Sequence, residues 1–595
     1  MILQSLYDLY ERLRHDPEYA IAPLGYSLQK ISFRMVLKPD GTLHGIEDAR
    51  LQDNKKKLSR QILVPGNTKS SGSGFNPCFL WDNTGYLLGY KPNDKDPERT
   101  KQTFQSFRDK HLSLLPEISC PPYHAVCQFL KTWNPEKASE YPILDEVGTG
   151  FGVFQIIGRT SYVHNDPDVK EWWQKQQDKK TESVLGQCSI TGVIAPLSRL
   201  HQPKIKRVGD QAESLLVSFN DSAYESYGKE QSFNAPVSED AAFRYATALN
   251  ALLDGPKRDK HLLSLAATTV VFWTKEPTTT EDIFAQFAAH GSTVSEKEEV
   301  QDESLRQKIE LFLKALRKGR DAYSEIEKSP DKTPFFILGL TGQAKGRIGV
   351  RFFYRDTISR LLDNLRRHYA DMKIEREYGE DSKHPDPEFP ALWRLLDETC
   401  PRRNGKPDRD KIPPILSGPL LRAVITGSQY PEGLFSAVIR RIHADGILNY
   451  IRACIIKGYL TRNKKRGVSM GLDPNRKEPA YRLGRLFAAL EKTQGDALGK
   501  VNATIRDRFY SAASSTPGTV FPRLLRTYQH HLAKMERGKV GREIMVREIL
   551  EPLTSFPAHL NLTDQGLFAI GYYHQMKDLW TSKETHEQKN GGDES

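Results

Sequence analysis

Cysteine is scarce in this chain, and the few cysteines are scattered. There are six in 595 residues, and no two of them have CxxC spacing. That pattern disfavours the common zinc motifs, so we expect reduced, buried thiols and no structural metal.

Long apolar runs are missing as well. The longest run near the middle of the chain, 262–273, is too short to span a bilayer and contains Ser264, Thr268 and Thr269. The N-terminus has acidic residues early and no basic segment, which indicates an amphipathic helix rather than a signal peptide. We therefore expect a cytoplasmic protein that does not enter a membrane.

Motifs of nucleotide binding and hydrolysis are also absent. No GxxxxGK[ST], GxSxG or HExxH string occurs. The glycines at 148–152 precede a strand pattern, whereas a dinucleotide-binding loop would open a helix. These absences favour a protein without catalytic activity or cofactor. A metal-dependent nuclease, whose acidic ligands assemble only in space, remains an alternative.

Positive charge is concentrated in one part of the chain. Residues 401–550 contain 29 Lys and Arg against 12 Asp and Glu, a net charge of +17, whereas the whole chain carries +11. The remainder of the chain is therefore net acidic. A long basic stretch rich in arginine is typical of a surface that binds nucleic acid. The alternative is a solvated basic face without a partner.

Alternating patterns in the first half predict short strands separated by turns. We expect strand pairs at 31–43 and 79–90 and single strands at 151–158 and 214–220. Residues 237–253 change to helical spacing, and Ser238 is the expected N-cap.

The second half is dominated by helical spacing. An acidic linker at 294–304 is followed by a strand, basic turn, strand and helix between 335 and 372. Beyond the proline-rich stretch at 385–391 the apolar spacing stays helical, which predicts a bundle. Arginines fall between the apolar stripes, so we expect them on the exterior of the bundle: Arg440, Arg441, Arg452, Arg482, Arg485, Arg523 and Arg526.

The predicted fold class is α+β. A mixed N-terminal region of antiparallel strands and helices precedes a C-terminal α-helical bundle. We place the boundaries at 1–290, 291–375 and 376–595.

Two loops have compositions suited to nucleic acid. The segment 69–77 combines one lysine with small, flexible residues and an asparagine, and such donors fit phosphates or base edges. The segment 220–239 interleaves Tyr224, Tyr227 and Phe233 with amides and a lysine, which suits stacking on exposed bases. The alternatives are an ordinary hairpin tip and a long loop held by its own aromatics.

Segments spread along nearly the whole chain carry a family resemblance. Among them are MILQSLYDLYERL, NPCFLWDNTGYLLG, ITGVIAPLSRLHQPKIK, LVSFNDSAYESYGKEQSFNAPVSEDAAFRYATALNALL and FPAHLNLTDQGLFAIGYYHQMKDLW. These segments are similar to the large subunit of the type I-C CRISPR Cascade surveillance complex.

The resemblance implies a non-enzymatic subunit. It would recognise a short protospacer-adjacent motif in duplex DNA, help to open the duplex, hold the displaced strand and dock the helicase–nuclease. Its partners would be the target DNA, the guide RNA and the Cascade backbone and small subunits. The family also implies an internal start, for which Met470 is the candidate, giving a separate product of 470–595. A scaffold that binds only RNA and partner subunits is a further alternative.

Residues are assigned to these roles as follows. Motif recognition is assigned to Lys69, Ser71, Gly72, Ser73 and Asn76, and opening of the duplex to Gln231 and Asn234. The strand-holding residues are Arg462, Lys464, Lys465, Arg466, Arg506, Arg508, Arg523 and Arg526.

Overall fold

The structure is a computed structural model that describes most of the chain. The described residues are 1–19, 21–53, 56–67, 69, 74–179, 184–209, 211–265, 268–278, 281, 284, 317, 333–343, 347–379, 382–499 and 501–590. Their contacts divide the chain into two units, 1–206 with 213–257, and 207–212 with 258–595. The main division thus falls near residue 257, upstream of the boundary expected at 290.

A mixed sheet forms the centre of the first unit. Strand β1 (Tyr26–Leu37) pairs antiparallel with β5 (Arg60–Pro65) through its first half and with β2 (Leu43–Asp48) through its second half. On its other side β1 runs parallel to β7 (Phe151–Ile156), which pairs antiparallel with β6 (Trp81–Asn83). The prediction of antiparallel strands therefore holds for β1 with its hairpin partners but not for β1 with β7.

Helices cover one face of this sheet, where buried side chains of β1 and β7 form a common core with α2, α3 and α4. The helices of the unit are α1 (Ile2–Arg14), α2 (Thr84–Leu88), α3 (Pro97–Ser113), α4 (Pro121–Thr132), α5 (Ile143–Val147), α6 (Pro167–Lys179) and α7 (Glu239–Asp254). Two short strand pairs complete it: β3 (Leu51–Asp53) with β4 (Lys56–Leu58), and β8 (Leu185–Gln187) with β9 (Ile194–Pro196). A further pair, β10 (Ile205–Val208) with β11 (Gln211–Ser214), includes residues 207–212, which belong to the second unit.

An antiparallel sheet opens the second unit and packs against helices. Its strands follow the order β12 (Leu262–Leu265), β13 (Thr268–Thr274), β14 (Pro334–Gln343) and β15 (Arg347–Thr357). Because β13 pairs with β14, the sheet joins segments on both sides of the predicted linker at 294–304, which itself lies outside the described residues. The interdomain boundary expected at 290–291 therefore falls between two strands of one sheet.

The remainder of the second unit is helical, which together with the first unit confirms the α+β class. Its helices are α8 (Ile358–Met372), α9 (Leu392–Asp397), α10 (Ser417–Thr426), α11 (Glu432–Asp445), α12 (Tyr450–Lys464), α13 (Pro479–Leu498), α14 (Ile505–Ser515), α15 (Pro517–Lys534), α16 (Lys539–Leu550) and α17 (Leu562–Asn590). A two-residue strand pair, β16 (Arg402–Arg403) with β17 (Lys406–Pro407), lies among them.

Two glycines set the distance between α13 and α17. A Cβ at Gly484 would lie 2.0 Å from the carbonyl oxygen of Phe568, and one at Gly571 would lie 2.1 Å from that of Tyr481. Each helix thus presents a glycine to the backbone of the other, and any side chain there would force the helices apart.

Several arginines of the bundle lie inside it, which corrects the prediction of a uniformly basic exterior. Arg452, Arg482 and Arg485 are only 1%, 5% and 6% exposed. Arg452 Nε donates to Glu398 at 2.7 Å and its Nη2 donates to Asp445 at 2.6 Å. Side-chain spacing shows that these positions lie between apolar stripes. It does not show that a further layer of chain covers them.

Arg482 and Arg485 have a different role from Arg452, because they donate to backbone carbonyls and to an uncharged side chain. Arg482 donates to the carbonyl oxygens of Glu548 and Pro474, and Arg485 donates to the same Pro474 oxygen and to Gln575. The two guanidinium groups therefore fasten the segment before α13 to the first turns of that helix.

Hydrogen bonds at helix N-caps explain why one predicted element is confirmed and another is wrong. Ser238 accepts a hydrogen bond from the Ala241 amide at 3.3 Å, which confirms it as the N-cap of α7. Asn83 accepts from the amides of Gly85 and Tyr86, so the predicted second strand of 79–90 is instead the helix α2. The strand expected at 214–220 is also wrong, since β11 ends at Ser214.

Neutral histidines are enclosed in both units. Burial lowers the pKa of His111 to about 3 and that of His201 to about 4 in the first unit. In the second unit it lowers the pKa of His368 and of His574 to about 3. His368 Nδ1 lies 2.7 Å from the Tyr430 hydroxyl, and His574 Nδ1 lies 3.0 Å from that of Tyr481.

We predict that these histidines make the fold sensitive to acid. The unfolded chain takes up their protons below pH ~6.5, whereas the folded chain does so only near the lowered pKa values, so stability falls as the pH drops through this window. Each histidine contributes about 1.4 kcal/mol per pH unit there. Calorimetric unfolding of the wild type and of His368→Asn and His574→Asn between pH 7.5 and 5.5 should show a shallower pH dependence in each variant.

The wild type must be compared with the variants, because buried carboxyl groups change the stability with pH in the direction opposite to the histidines. Burial raises the pKa of Glu491, for example, and such a group stabilises the fold as the pH falls. Equal pH slopes in the wild type and both variants would contradict the prediction.

Candidate nucleic-acid interface

The loop before β6 is organised around one buried carboxylate. Asp82 is 0% exposed. Its Oδ2 accepts from Lys69 Nζ at 2.7 Å and from the Cys78 amide at 2.9 Å, and its Oδ1 accepts from the Asn83 amide at 2.8 Å. Burial raises the pKa of Asp82, and the nearby Lys69 ammonium acts against that rise. Without Lys69, a charge at this position would have no cationic partner among the described residues.

Lys69 is occupied within this loop. Its Nζ also donates to the carbonyl oxygen of Asn76 at 2.5 Å and lies 3.6 Å from the centre of the Tyr86 ring. Its side chain is 13% exposed. Lys69 is assigned to direct DNA contact by prediction only; in the structure it shapes the loop from inside, because Asp82, Asn76 and Tyr86 hold its ammonium group.

Asn76 has the opposite arrangement. Its amide donates to the Tyr86 hydroxyl at 3.1 Å and its carbonyl accepts from Lys69, while the residue itself is exposed. The backbone is thus fixed on both sides and the side-chain amide is displayed. Ser71, Gly72 and Ser73, the other residues assigned to motif recognition, lie outside the described residues.

The second loop, 221–238, is held together by the two residues assigned to opening the duplex. Asn234 Oδ1 accepts from the Ser226 amide at 2.9 Å, and its Nδ2 donates to the carbonyls of Lys229 and Gln231 at 2.6 and 2.9 Å. Gln231 Oε1 accepts from Arg199 at 2.8 Å. The Asn234 amide is therefore used within the loop and the Gln231 side chain bonds Arg199 outside it, while their assignment to opening the duplex stays a prediction.

The strand-holding residues separate by burial. Arg462 is inside the second unit, where its Nε donates to Asp371 at 2.7 Å and its guanidinium lies 4.3 Å from the centre of the Tyr430 ring. Its side chain is 1% exposed, and this burial does not support the strand-holding role, which stays a prediction. Arg462 is buried because its position near the end of α12 still faces α8 and α10.

Two further assigned cations are half-buried and have partners. Arg466 pairs with Asp564 at 3.2 Å, and Arg506 lies 5.5 Å from the centre of the Tyr572 ring. Lys464 and Lys465 are exposed at the end of α12. These four residues differ in how readily a phosphate can reach them.

The remaining assigned cations are exposed, although the guanidinium group of Arg523 lies 5.4 Å from the centre of the Phe509 ring. Arg523 and Arg526 on α15 and Arg508 on α14 are all exposed. Within the part of the chain that the structure describes, none of the three forms an ion pair with an acidic residue. Their positive charge is consequently available to an anion.

Exposed residues extend the α15 cations into a row. His530 and Lys534 follow Arg523 and Arg526 at helical spacing, and all four are exposed. We call these four residues the α15 row. The alignment of His530 and Lys534 with the arginines depends on α15 continuing without a break from Arg523 to Lys534.

One cluster of potential metal ligands bears on the nuclease alternative. Within the described ranges, ligand atoms of Cys120, Asp166 and Asp168 lie within 4.8 Å of one another. Asp166 accepts from Arg159 at 2.9 Å and from the Asp168 amide at 3.2 Å, as a capping residue of α6 would. Burial raises the pKa of the Cys120 thiol to about 12, which disfavours the thiolate that binds metals. The cluster is accounted for by helix capping.

We predict that removing the Lys69 ammonium destabilises the first unit. Lys69→Met should lower the free energy of unfolding by about 3–5 kcal/mol, because the Asp82 carboxylate would stay buried without its cation. The double variant Lys69→Met, Asp82→Asn should recover part of that loss. Urea unfolding checks both, and a Lys69→Met variant as stable as the wild type would contradict the anchoring role.

Comparison with known proteins was made for the whole chain. Within the described ranges, no helix has both the length and the apolar character required to cross a bilayer. No curated protein matches the sequence. A family model described as CRISPR-associated protein (Cas_Csd1) matches residues 6–580. Because the match covers nearly the entire sequence, the chain belongs to the Cas_Csd1 family of CRISPR-associated proteins.

Proposed function

We propose that the chain is the non-catalytic large subunit of a type I-C CRISPR surveillance complex. It would recognise a protospacer-adjacent motif in duplex DNA, promote unwinding, hold the displaced strand and help to recruit the helicase–nuclease. Family membership supports a role in a CRISPR system. The observation that carries the DNA-binding role is the α15 row, whose cations lie exposed along one helix face.

The α15 row suits the backbone of a nucleic acid. From Arg523 to Lys534 a helix rises about 16 Å, which exceeds the ~3.4 Å separation of successive phosphates along one strand of duplex DNA. Several phosphates can therefore lie along the row. Arginine and lysine bind phosphate without regard to the base, so the row fits retention of a displaced strand of any sequence.

The Asn76 loop suits recognition of a short motif. Reading a base edge requires few donors and acceptors in fixed positions, and an asparagine amide can bond adenine at two points in the major groove. The loop backbone on both sides of the Asn76 side chain is fixed by Lys69 and Tyr86. The sequence of the protospacer itself would be recognised by base pairing with the guide RNA.

The position of Met470 is compatible with an internal start. It lies half-exposed between α12 and α13, and its carbonyl accepts from the Glu375 amide at 3.0 Å. A product of 470–595 would keep α13 to α17, including the glycine contact of α13 with α17, and would lose α11 and α12. We propose that this helical set is also made separately as the small subunit.

We predict that the cations of the α15 row, together with Arg508 on the neighbouring helix α14, govern binding to all DNA sequences alike. Replacing Arg508, Arg523, Arg526 and Lys534 together by Gln should weaken binding to single-stranded DNA and reduce the slope of log K against log salt by ~0.7 per lost contact. Binding titrations between low and high salt measure both quantities.

A matched variant tests whether position or total charge matters. Arg360, Lys411, Arg422 and Arg440 are exposed on other elements of the same unit, and their replacement by Gln removes the same number of charges. The salt slope of this control should stay near that of the wild type. Equal reductions in the two variants would show that the α15 row has no special role.

We predict that Asn76 contributes to discrimination between motifs. Asn76→Ala should reduce the preference for the cognate motif by about 1–3 kcal/mol for a lost base contact, because the displayed amide is removed while the Lys69 anchor is kept. Competition binding of the assembled complex to duplexes that differ only in the motif provides the measurement. Asn502→Ala, at an exposed asparagine of the second unit, is the control. An unchanged motif preference in Asn76→Ala would refute the assignment.

A further inference from the structure

A tight turn at the tip of the 221–238 loop displays an aromatic ring. The Lys229 amide donates to the Ser226 carbonyl at 3.0 Å, and the two residues form an antiparallel bridge. The residues between them, Tyr227 and Gly228, have φ angles of 56° and 67°. Positive φ at both central positions is the geometry of a type I′ turn, which normally carries Asn-Gly or another pair free of bulky side chains.

Tyr227 is an unfavourable residue for its place in this turn. A Cβ in the left-handed region is crowded by the backbone, and an aromatic residue there costs free energy that asparagine or glycine would avoid. The side chain is 99% exposed, so packing within the chain does not offset that cost. Strained backbone of this kind is concentrated at sites that bind or react.

The base of the turn is rigid. Asn234 bonds to Ser226 on one arm and to Lys229 on the other, and the Gln231 amide donates to Glu225 Oε1 at 3.1 Å. The guanidinium group of Arg199 donates a hydrogen bond to the Gln231 side chain, and the Arg199 carbonyl oxygen accepts one from the Ser232 amide at 3.3 Å. The Tyr227 ring is therefore presented from a framework that needs little further ordering on binding.

The chemistry around the ring favours a nucleobase. Arg199, Lys229 and one carboxylate, Glu230, are exposed beside the turn, while the carboxylate of Glu225 accepts from the Gln231 amide. A flat, exposed ring beside cations is the arrangement by which proteins stack on bases and bind the adjoining phosphates. A base inside a duplex offers no free face, so only an unpaired base fits.

We propose that Tyr227 stacks on an unpaired nucleobase of the DNA where the duplex opens. This inference rests on the proposed function and transfers the wedge role from Gln231 and Asn234 to the residue that they support. The two amides become positioning residues for the turn.

The variant Tyr227→Asn removes the aromatic ring without disturbing the backbone of the turn. Asparagine followed by glycine is the preferred pair for a type I′ turn, so the variant should be at least as stable as the wild type in thermal unfolding. Full-length protein should bind a forked duplex, with unpaired bases at one end, about 5- to 100-fold more weakly after this change. Tyr227→Phe keeps the ring and should bind like the wild type.

The control DNA and control variant isolate stacking. A fork whose unpaired positions are abasic should bind the wild type and Tyr227→Asn equally. Fluorescence of 2-aminopurine as the first unpaired base should be quenched by the wild type and not by Tyr227→Asn. Tyr378→Asn, at an exposed tyrosine of the second unit, should behave like the wild type in both assays.

Other outcomes overturn the proposal in distinguishable ways. If Tyr227→Asn binds forks and quenches 2-aminopurine as the wild type does, the stacking role is wrong while the proposed function stands. If Tyr227→Asn binds forks normally but loses its partner subunits on purification, the ring docks in a protein and the stacking role is again wrong. If the wild type binds no DNA, the proposed function fails as well.

Discussion

Enclosed guanidinium groups determine the arrangement of the second unit. A buried arginine must have hydrogen-bond acceptors, because a desolvated cation without them would cost more than the fold can supply. Arg452 meets this need with Glu398 and Asp445, Arg462 with Asp371, and Arg482 with backbone carbonyls. These bonds tie helices to the loops between them and fix which faces turn inward. The faces left outside, including the α15 row, follow from that choice.

The same rule explains why charge counting overstates the basic surface. The window 401–550 has a net charge of +17, yet Arg452, Arg462, Arg482 and Arg485 within it are enclosed. Their neighbours in sequence look the same as the exposed arginines, since each lies between apolar positions of a helix. Arg523 and Arg526 are exposed because no further layer of described chain covers that side of α15. Burial of this kind depends on tertiary packing, and residue spacing does not contain it.

Periodic segments could be predicted from the sequence, and short irregular ones could not. The sequence predicts the order of β14, β15 and α8, and the N-cap Ser238 of α7. Each of these elements has an apolar pattern long enough to identify it even when its first and last residues are uncertain. In contrast, α2 is a single short turn that Asn83 caps, and its residues also fit a strand. The candidate loops were found by composition, but which of their polar side chains are displayed depends on bonds such as Lys69 to Asp82. The spacing between Lys69 and Asp82 along the chain matches neither a helical nor a strand period, so the sequence does not predict that they pair.

A division between fixed loops and a cationic helix follows from what each kind of recognition requires. Discrimination between bases requires a hydrogen-bond donor that is fixed in position and so cannot adjust to a non-cognate base. Both loops of the first unit have internal polar bonds that hold one exposed side chain. Retention of a strand requires affinity without preference, which an exposed row of cations on a single helix provides. Internal bonding at Lys69 and Asn234 therefore does not weaken the case for those loops in recognition. Because Lys69 and Asn234 bond within the loops, the side chains that these bonds leave exposed are Asn76 and Tyr227, the two to which the proposals assign base contacts.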